Sequence, residues 1–167
     1  MNKTDFKISL LAAYTEKGRI IGSKGKIPWN IPSERVRFKK LCAGKKVIMG
    51  RKTFEEIGHA LSYCTIVIVS STMKEAPEGC MLAKSLEEAI QTAGSDEVLV
   101  AGGQSIYEQA FPFASKIYAT EILKEFEGDR TFPEPGKNWK KILEEQKEDS
   151  GIKFNYVTFL LQNSDQH

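Results

Sequence analysis

An acidic residue falls on an apolar helix face in the segment GKIPWNIPSERVRFKK, residues 25–40. The residues after Pro32 predict a helix over 33–42, with Ser33 as its N-cap. One face of this helix is spaced i, i+4, i+7 and i+8, and it carries Glu34, Phe38, Leu41 and Cys42. The other side carries three cations that we expect in solvent, Arg37, Lys39 and Lys40. Glu34 is therefore the one charged group on the face that should be buried.

Two interpretations of Glu34 are open at this point. It is either a first-turn acid that the helix dipole stabilises, with its carboxylate in water, or the negative group of a ligand cavity. The second interpretation follows from energetics, because a desolvated carboxylate is costly unless a partner pairs with it. The ligand of such a cavity would carry hydrogen-bond donors for the carboxylate.

Two strand-to-helix junctions have residues suited to phosphate. In VIMGRKTF, Gly50 precedes a helix that opens with Arg51 and Lys52; free N–H groups at a helix start and an arginine both bind phosphate oxygens. In VAGGQSIY, Gly102-Gly103 allows close approach of the backbone to a ligand, although the segment is not the GxGxxG fingerprint. Plain turns are the alternative for each junction. Two such junctions at the carboxyl ends of parallel strands predict one ligand crevice there.

Two further segments extend this hypothesis. Ser70-Ser71 ends another strand at the same edge, where small hydroxyl residues would complete a phosphate pocket or simply begin a loop. The segment IIGSKGKIPWN, residues 20–30, combines glycines, a proline and Trp29. This composition is typical of a mobile lid with an aromatic anchor, and equally of a surface loop with Trp29 packed in the core.

The elements that must position these residues alternate along the chain. Five apolar runs predict buried strands, over 7–14, 45–50, 65–71, 97–103 and 116–122. Helical patterns lie between them, over 33–42, 51–58, 85–94 and 104–111, and the third has a capping box formed by Ser85 and Glu88. Two final strands joined at residues 149–151 predict an antiparallel hairpin. The pattern indicates an α/β domain with a largely parallel sheet.

Composition excludes several function classes. The 167 residues carry 24 basic and 22 acidic side chains, so the net charge of +2 gives no footprint for nucleic acid. No apolar run reaches membrane length, and the polar N-terminus lacks a signal-peptide core. Three cysteines and two histidines form no metal-ligand pattern, and an odd number of cysteines favours a reducing cytoplasm. We expect a single domain over residues 1–167, with no metal, nucleic-acid or membrane partner.

The sequence resembles the dihydrofolate reductase family over nearly its whole length. The resemblance is carried, in order, by SLLAAY, IIGSKGKIPWNIPSE, VIMGRKTFEEIG, VIVSS, VLVAGGQSIYEQA, IYATEI and EGDRTFP. It implies a three-layer α/β fold with an eight-stranded, mostly parallel mixed sheet, a C-terminal antiparallel hairpin and about four helices. It also implies a cytoplasmic monomer that reduces 7,8-dihydrofolate to tetrahydrofolate with NADPH and binds antifolate inhibitors.

The resemblance also implies roles for individual residues. Glu34 would bind the pterin ring, Trp29 would order a water and close the lid, and Thr120 would hydrogen-bond the acid. The folate site would be lined by Leu11, Ala12, Phe38, Ile57 and Leu61. The nicotinamide and pyrophosphate would lie against Ala13, Ile21, Gly22, Gly102, Gly103, Gln104, Ser105, Ile106 and Tyr107. The adenosine half would lie against Gly50, Arg51, Lys52, Thr53, Ser70 and Ser71, with Arg51 and Lys52 favouring the 2′-phosphate of NADPH.

One departure from the family concerns the glutamate tail of folate. The family usually has an arginine before the strand TIVIVSS, where it binds the α-carboxylate of the tail, and here the matching residue is Cys64. No arginine or lysine lies between Lys52 and Lys74. Arg35, with Lys39 four residues on, is our hypothesis for the replacement; a surface cation is the alternative.

The missing arginine leaves two rival functions. One is a related NADPH-dependent reductase of a tail-less pterin or of a riboflavin-pathway pyrimidine. The other is a catalytically weak NADPH-binding protein, which would not need Glu34 and Trp29.

Overall fold

The structure is a computed structural model and describes residues 7–94 and 96–162. Its main element is a mixed eight-stranded sheet. The termini of the predicted domain, residues 1–6 and 163–167, lie outside the described residues. The strands are β1 Lys7–Thr15, β2 Ile20–Gly22, β3 Lys46–Gly50, β4 Thr65–Val69, β5 Met81–Ala83, β6 Glu97–Val100, β7 Lys116–Ile122, β8 Arg130–Thr131, β9 Trp139–Asp149 and β10 Ile152–Leu161. The helices are α1 Pro32–Cys42, α2 Arg51–Ile57, α3 Leu86–Ala93 and α4 Gln104–Ala110, the last followed by a 3-10 turn, Phe111–Phe113.

The sheet has the order β5-β4-β3-β6-β1-β7-β10-β9. The five pairings from β5 to β7 are parallel, and the two that involve β10 are antiparallel. The central strands are apolar on both faces because helices cover both sides, as the continuous apolar runs predict. The predicted mixed sheet and C-terminal hairpin are confirmed. The short strand β5 and the small antiparallel pair of β2 and β8 had no clear sequence signal.

Alternation along the central strands separates two cores. Leu11 of β1 contributes to the core beneath α1 and α2, together with Val47 and Met49. Its neighbour Ala12 points the other way, into the core beneath α3 and α4. A third, smaller cluster lies where α1 begins, and it consists of Ile31, Ile122, Ile152, Phe154 and Tyr156, with Trp29 and Phe126 packed against it.

The start of α1 differs from the prediction. The helix begins at Pro32, its N-cap is Ile31 without a side-chain hydrogen bond, and the prediction of Ser33 as the cap is wrong. The backbone N–H of Ser33 instead donates to a carboxylate oxygen of Asp149 at 2.9 Å. A residue at the end of β9 thus supplies the acceptor that a local cap would supply. By contrast, α3 is capped as predicted, since the Glu88 N–H donates to the Ser85 hydroxyl at 3.1 Å.

Arg37 also differs from its prediction. Lys39 and Lys40 are exposed, as expected, but Arg37 is only partly exposed. Its guanidinium carbon lies 3.9 Å from the centre of the Tyr156 ring. The prediction that Arg37 belongs to the solvated face is therefore wrong, because β10 lies close enough to α1 to receive its side chain.

No helix in residues 7–94 and 96–162 is long and apolar enough to cross a membrane.

The turn before β8 approaches β2 very closely at Gly128. A Cβ atom added to Gly128 would overlap the carbonyl oxygen of Gly22 and the side chain of Ile20. The neighbouring Asp129 N–H donates to the same carbonyl at 3.0 Å, which holds the two segments together. Only glycine fits at this contact.

We expect Gly128→Ala to destabilise the fold by roughly 1–3 kcal/mol, because the added methyl group forces β2 and β8 apart. At about 2–4 °C per kcal/mol for a chain of this size, calorimetry should detect the lower Tm. Gly136→Ala is the matched control, since a Cβ atom there would meet nothing within 4 Å. Equal Tm values for the two variants would contradict the close approach.

Candidate active site

A partly buried hydrogen bond joins the first turn of α1 to the middle of β7. The Thr120 hydroxyl, 2% exposed, donates to a carboxylate oxygen of Glu34 at 2.8 Å. Burial raises the pKa of Glu34 above its ordinary value, while the Thr120 hydrogen bond and the positive charge of Arg37 oppose the rise. The sheet and helix thus hold a carboxylate in an apolar setting with one neutral donor, which leaves its other acceptor sites for a ligand.

The apolar wall beside Glu34 consists of the predicted folate residues. Leu11, Phe38, Ile57 and Leu61 belong to one cluster, although they come from β1, α1, α2 and the loop after α2. Ala12 is the exception, because its side chain packs into the core on the opposite face of the sheet. The wall continues with Tyr63, Cys64 and Met73, which the sequence did not assign to it.

Trp29 lies on the other side of the α1 start. Its ring is half-buried and packs on Phe126, with ring centres 5.6 Å apart. Both belong to the small cluster that contains Tyr156, the partner of Thr120 in the pairing of β10 with β7. The packing of Trp29 thereby holds the predicted lid segment close to the start of α1, which carries Glu34.

The two glycine junctions meet side by side. The N–H of Gly50 donates to the carbonyl oxygen of Gly102 at 2.9 Å, which joins the ends of β3 and β6. Gly102 has a φ of +119°, a conformation that favours glycine, and its peptide bond with Gly103 is cis. A Cβ atom at Gly103 would lie 3.4 Å from the Thr53 hydroxyl oxygen. The two junctions therefore meet through glycine backbone, and the side chains of Ile106 and Tyr107 pack against Gly50 and Gly102.

Several predicted cofactor residues already have partners within the chain. The buried Tyr107 hydroxyl donates to the Leu11 carbonyl at 2.7 Å, which links α4 to β1. Gln104 accepts from the Thr131 N–H at 2.9 Å, and Ser105 accepts from the Gln109 amide at 3.0 Å. These residues stabilise the crevice with their side chains, and a ligand there would contact mainly backbone.

The predicted phosphate residues divide into buried and exposed groups. Ser70 is buried, and its hydroxyl accepts from the N–H groups of Thr72 and Met73 at 3.3 and 3.0 Å. Arg51, Lys52 and Ser71 are exposed, at the ends of the paired strands β3 and β4. The remaining predicted residues, Ala13, Ile21, Gly22, Thr53 and Ile106, are all at least partly buried on β1, β2, α2 and α4.

Two residues near the acid were missed by the sequence reasoning. Arg37 was assigned to solvent, and Tyr156 was assigned no role, although Arg37 stacks on its ring beside Glu34. The spacing from Glu34 to Arg37 is i, i+3, which places them on neighbouring positions of a helix surface and could have drawn attention to Arg37. No local pattern could have indicated Tyr156, which lies more than a hundred residues away in sequence.

Comparisons with known proteins agree with this geometry. The family model named dihydrofolate reductase matches residues 7–162. A dihydrofolate reductase of Bacillus subtilis is 40% identical over 133 residues, which cover 78% of this chain and 79% of the relative. The chain belongs to the dihydrofolate reductase family.

Other members of the dihydrofolate reductase family support the same assignment. The Haemophilus influenzae member is 37% identical over 134 residues, 80% of this chain and 81% of the relative. The solved structure of the Enterococcus faecalis dihydrofolate reductase, complexed with NADP(H) and RAB-propyl, matches with a TM-score of 0.85 and 27% identity. That match covers 94% of this chain and 97% of the neighbour. As a dihydrofolate reductase family member, the chain is an oxidoreductase that reduces dihydrofolate with NADPH.

The substitution Glu34→Gln should lower the activity of the enzyme and raise its stability. The raised pKa means that folded Glu34 keeps its proton at pH values where the unfolded chain has lost it, so the free energy of unfolding falls as pH rises through and above 4.5. Removing the charge abolishes this fall. We expect a higher Tm than wild type at neutral pH and a loss of roughly 100-fold or more in kcat/KM, measured by calorimetry and NADPH oxidation.

Glu87→Gln is the matched control, because Glu87 is an exposed first-turn acid of α3. It should change neither Tm nor activity appreciably. A Glu34→Gln variant that is less stable than wild type at neutral pH would instead support the solvated first-turn interpretation.

Proposed function

We propose that Glu34 binds the pterin ring of dihydrofolate through paired hydrogen bonds with a ring nitrogen and the exocyclic amine. The observation that carries this proposal is the Glu34–Thr120 hydrogen bond at 2.8 Å at one end of an apolar wall. Thr120 occupies one acceptor site of the carboxylate and fixes its orientation. The ligand supplies the donors that compensate for burial, which resolves the cost of placing this charge on an apolar face.

The proposed reaction needs little covalent chemistry from the protein. When bound, NADPH would supply the hydride that reduces C6 of the pterin, and a proton from water would complete the reduction at N5. Glu34 orients and polarises the ring, while Phe38 and Leu11 exclude water from its faces. Trp29, packed beside Phe126, closes the lid segment over the site and orders the water that delivers the proton.

The residues of the crevice fit the proposed cofactor. Gly50 and Gly102 have no side chains of their own where the two strand ends meet, although Ile106 and Tyr107 pack close to them, and such glycine backbone suits a pyrophosphate or a nicotinamide amide. At the outer end, Arg51 and Lys52 lie beside Ser71, exposed and able to reach a 2′-phosphate. Within the described residues, the only ion pair of Arg51 is a 3.9 Å contact with Glu55 that solvent weakens.

Discrimination between NADPH and NADH tests this placement. We expect the double variant Arg51→Ala, Lys52→Ala to raise the KM for NADPH by about tenfold or more, because charge-assisted hydrogen bonds to the 2′-phosphate are lost. The KM for NADH, which lacks that phosphate, should change little. Steady-state kinetics with both cofactors make the measurement, and Lys84→Ala serves as an exposed-lysine control. Parallel increases for both cofactors would place the 2′-phosphate elsewhere.

The glutamate tail requires a replacement for the missing arginine, and we propose Arg35 and Lys39. The two share one side of α1, four residues apart. The ammonium nitrogen of Lys39 lies 5.7 Å from the centre of the Tyr63 ring, next to Cys64 and the end of the folate wall. Arg35 is exposed, and its one hydrogen bond to a described side chain is that to Asn30, at 3.4 Å. Both cations are therefore available to an anionic tail that leaves the pocket along this side of α1.

Comparison of dihydrofolate with a tail-less dihydropterin tests the tail site. For wild type we expect a clear preference for dihydrofolate, expressed mainly in KM. Arg35→Ala and Lys39→Ala should each raise the KM for dihydrofolate several-fold and leave the dihydropterin unaffected, because only dihydrofolate has the carboxylates. NADPH oxidation at about 340 nm is the readout, with Lys40→Ala as the control.

If wild type reduces both substrates equally well, the tail is not recognised and the substrate assignment must be revised. If wild type prefers dihydrofolate but both variants keep that preference, the tail is bound by other groups.

We also propose a cytoplasmic location, which is supported by the free state of Cys42, Cys64 and Cys80. The monomeric state stays a prediction.

A further inference from the structure

Arg37 occupies an unusual position for a cation. It follows Glu34 by three residues on α1, and its guanidinium carbon lies 3.9 Å from the centre of the Tyr156 ring. Its Nε atom is buried and has no hydrogen-bond partner among the described residues. Arg37 also forms no ion pair within 4 Å with a side chain that the structure describes. The guanidinium is thus held against an aromatic face and is partly desolvated. Partial desolvation of a charge costs free energy unless an interaction compensates for it.

The charged and titratable groups around Arg37 come from four elements. Glu34 lies on α1 itself, and Lys116 and Tyr118 lie on β7, as does the neutral Thr120 hydroxyl. Tyr156 lies on β10, and the side chains of Glu144, Glu145 and Lys147 come from β9, with the Lys147 ammonium 5.8 Å from the Tyr156 ring centre. Asp149, at the end of β9, binds the N–H of Ser33.

Only one of these acids is desolvated. Glu144 and Glu145 are exposed, and Lys147 approaches Glu145 at 3.9 Å, so water and a cation screen them. Glu34 is only partly exposed, and a charge acts more strongly through a poorly hydrated region than through water. The field of Arg37 is therefore directed most effectively at Glu34.

We propose that Arg37 is a positioning residue that keeps Glu34 ionised in the folded protein and thereby sets the pH range of the reaction. This inference rests on the proposed role of Glu34 as the pterin anchor. Tyr156 holds the guanidinium in place, and its pairing with Thr120 puts the partner of Arg37 and the partner of Glu34 in adjacent strands. The opposing effects of Thr120 and Arg37 on the pKa of Glu34 agree with this arrangement.

The pH dependence of hydride transfer provides the test. The reduction consumes one proton. Its rate therefore falls as pH rises through the titration midpoint of Glu34 together with the bound pterin, which we call the Glu34–pterin unit. Loss of a nearby positive charge raises the proton affinity of that unit. For Arg37→Met, which keeps a long apolar side chain beside Tyr156, we expect the midpoint to move upward by about half a pH unit or more, roughly a threefold change in proton affinity.

Two variants separate charge from structure. Arg37→Lys keeps the charge and should restore much of the wild-type midpoint, although it lacks the planar stack. Lys40→Met removes an exposed charge from the same helix and should leave the midpoint in place, because solvent screens it. A structural role alone would lower activity at every pH without moving the midpoint. Equal midpoints for wild type and Arg37→Met would overturn the proposal.

A second measurement does not depend on turnover. Glutamate labelled with ¹³C at the carboxyl group permits titration of Glu34 by NMR in the free protein, with Glu34→Gln to assign its signal. Arg37→Met should raise this midpoint too, and an unchanged Glu34 titration would overturn the proposal. If Arg37→Met does not fold, Tyr156→Leu is the alternative, because it keeps the guanidinium but removes the ring on which it stacks. A smaller upward shift of the Glu34 titration midpoint is then expected, and no shift would count against the proposal.

The two measurements also distinguish the possible failures. If Glu34→Gln keeps the wild-type kcat/KM for dihydrofolate, the proposed role of Glu34 fails, while the NMR titration still decides whether Arg37 acts on Glu34.

Discussion

The burial of one carboxylate governs the design of this protein. Glu34 can lie on an apolar face because Thr120 donates a hydrogen bond to it from β7. This bond forms because α1 begins at Pro32 and thereby brings the Glu34 carboxylate within reach of β7. Both conditions depend on distant parts of the chain. The parallel strands place Thr120, and the C-terminal hairpin supplies the carboxylate of Asp149 that completes the start of α1. The ligand-free protein is thus less stable than it would be without the charge of Glu34.

The cofactor side of the molecule follows a different rule. Here glycine backbone forms the junction, as the hydrogen bond between Gly50 and Gly102 shows, and the side chains of Ile106 and Tyr107 pack against it. Side chains that could have projected into the crevice, such as those of Gln104 and Tyr107, are bound to β8 and β1 instead. In the proposed site, one half would therefore select its ligand with a partly buried charge, and the other half by shape and by exposed cations at its outer end.

The sequence predicted what depends on local periodicity and missed what depends on contacts between remote segments. Glu34, the two glycine junctions and the order of helices and strands were all readable, because apolar spacing and glycine pairs report directly on buried faces and close backbone approach. Thr120 came only from the family resemblance, since one threonine in an apolar strand has no distinctive spacing. Ser33 was a reasonable cap by local rules, but Asp149 took over the capping role from 116 residues away. Arg37 was placed in water because a helix pattern gives no indication that β10 passes beside it.

The bond between Ser33 and Asp149 has a consequence for the order of events during synthesis. On the ribosome, α1 emerges long before the last two strands, and its first turn then lacks the acceptor that Asp149 provides in the finished protein. The pairing of β7 with β10 is also absent until β10 has been synthesised. The nascent chain therefore carries an acidic residue on an incompletely ordered helix turn, free to remain hydrated, and burial of that charge is deferred until the hairpin forms. Completion of the candidate site thus depends on the hairpin, whose last strand is synthesised more than a hundred residues after α1.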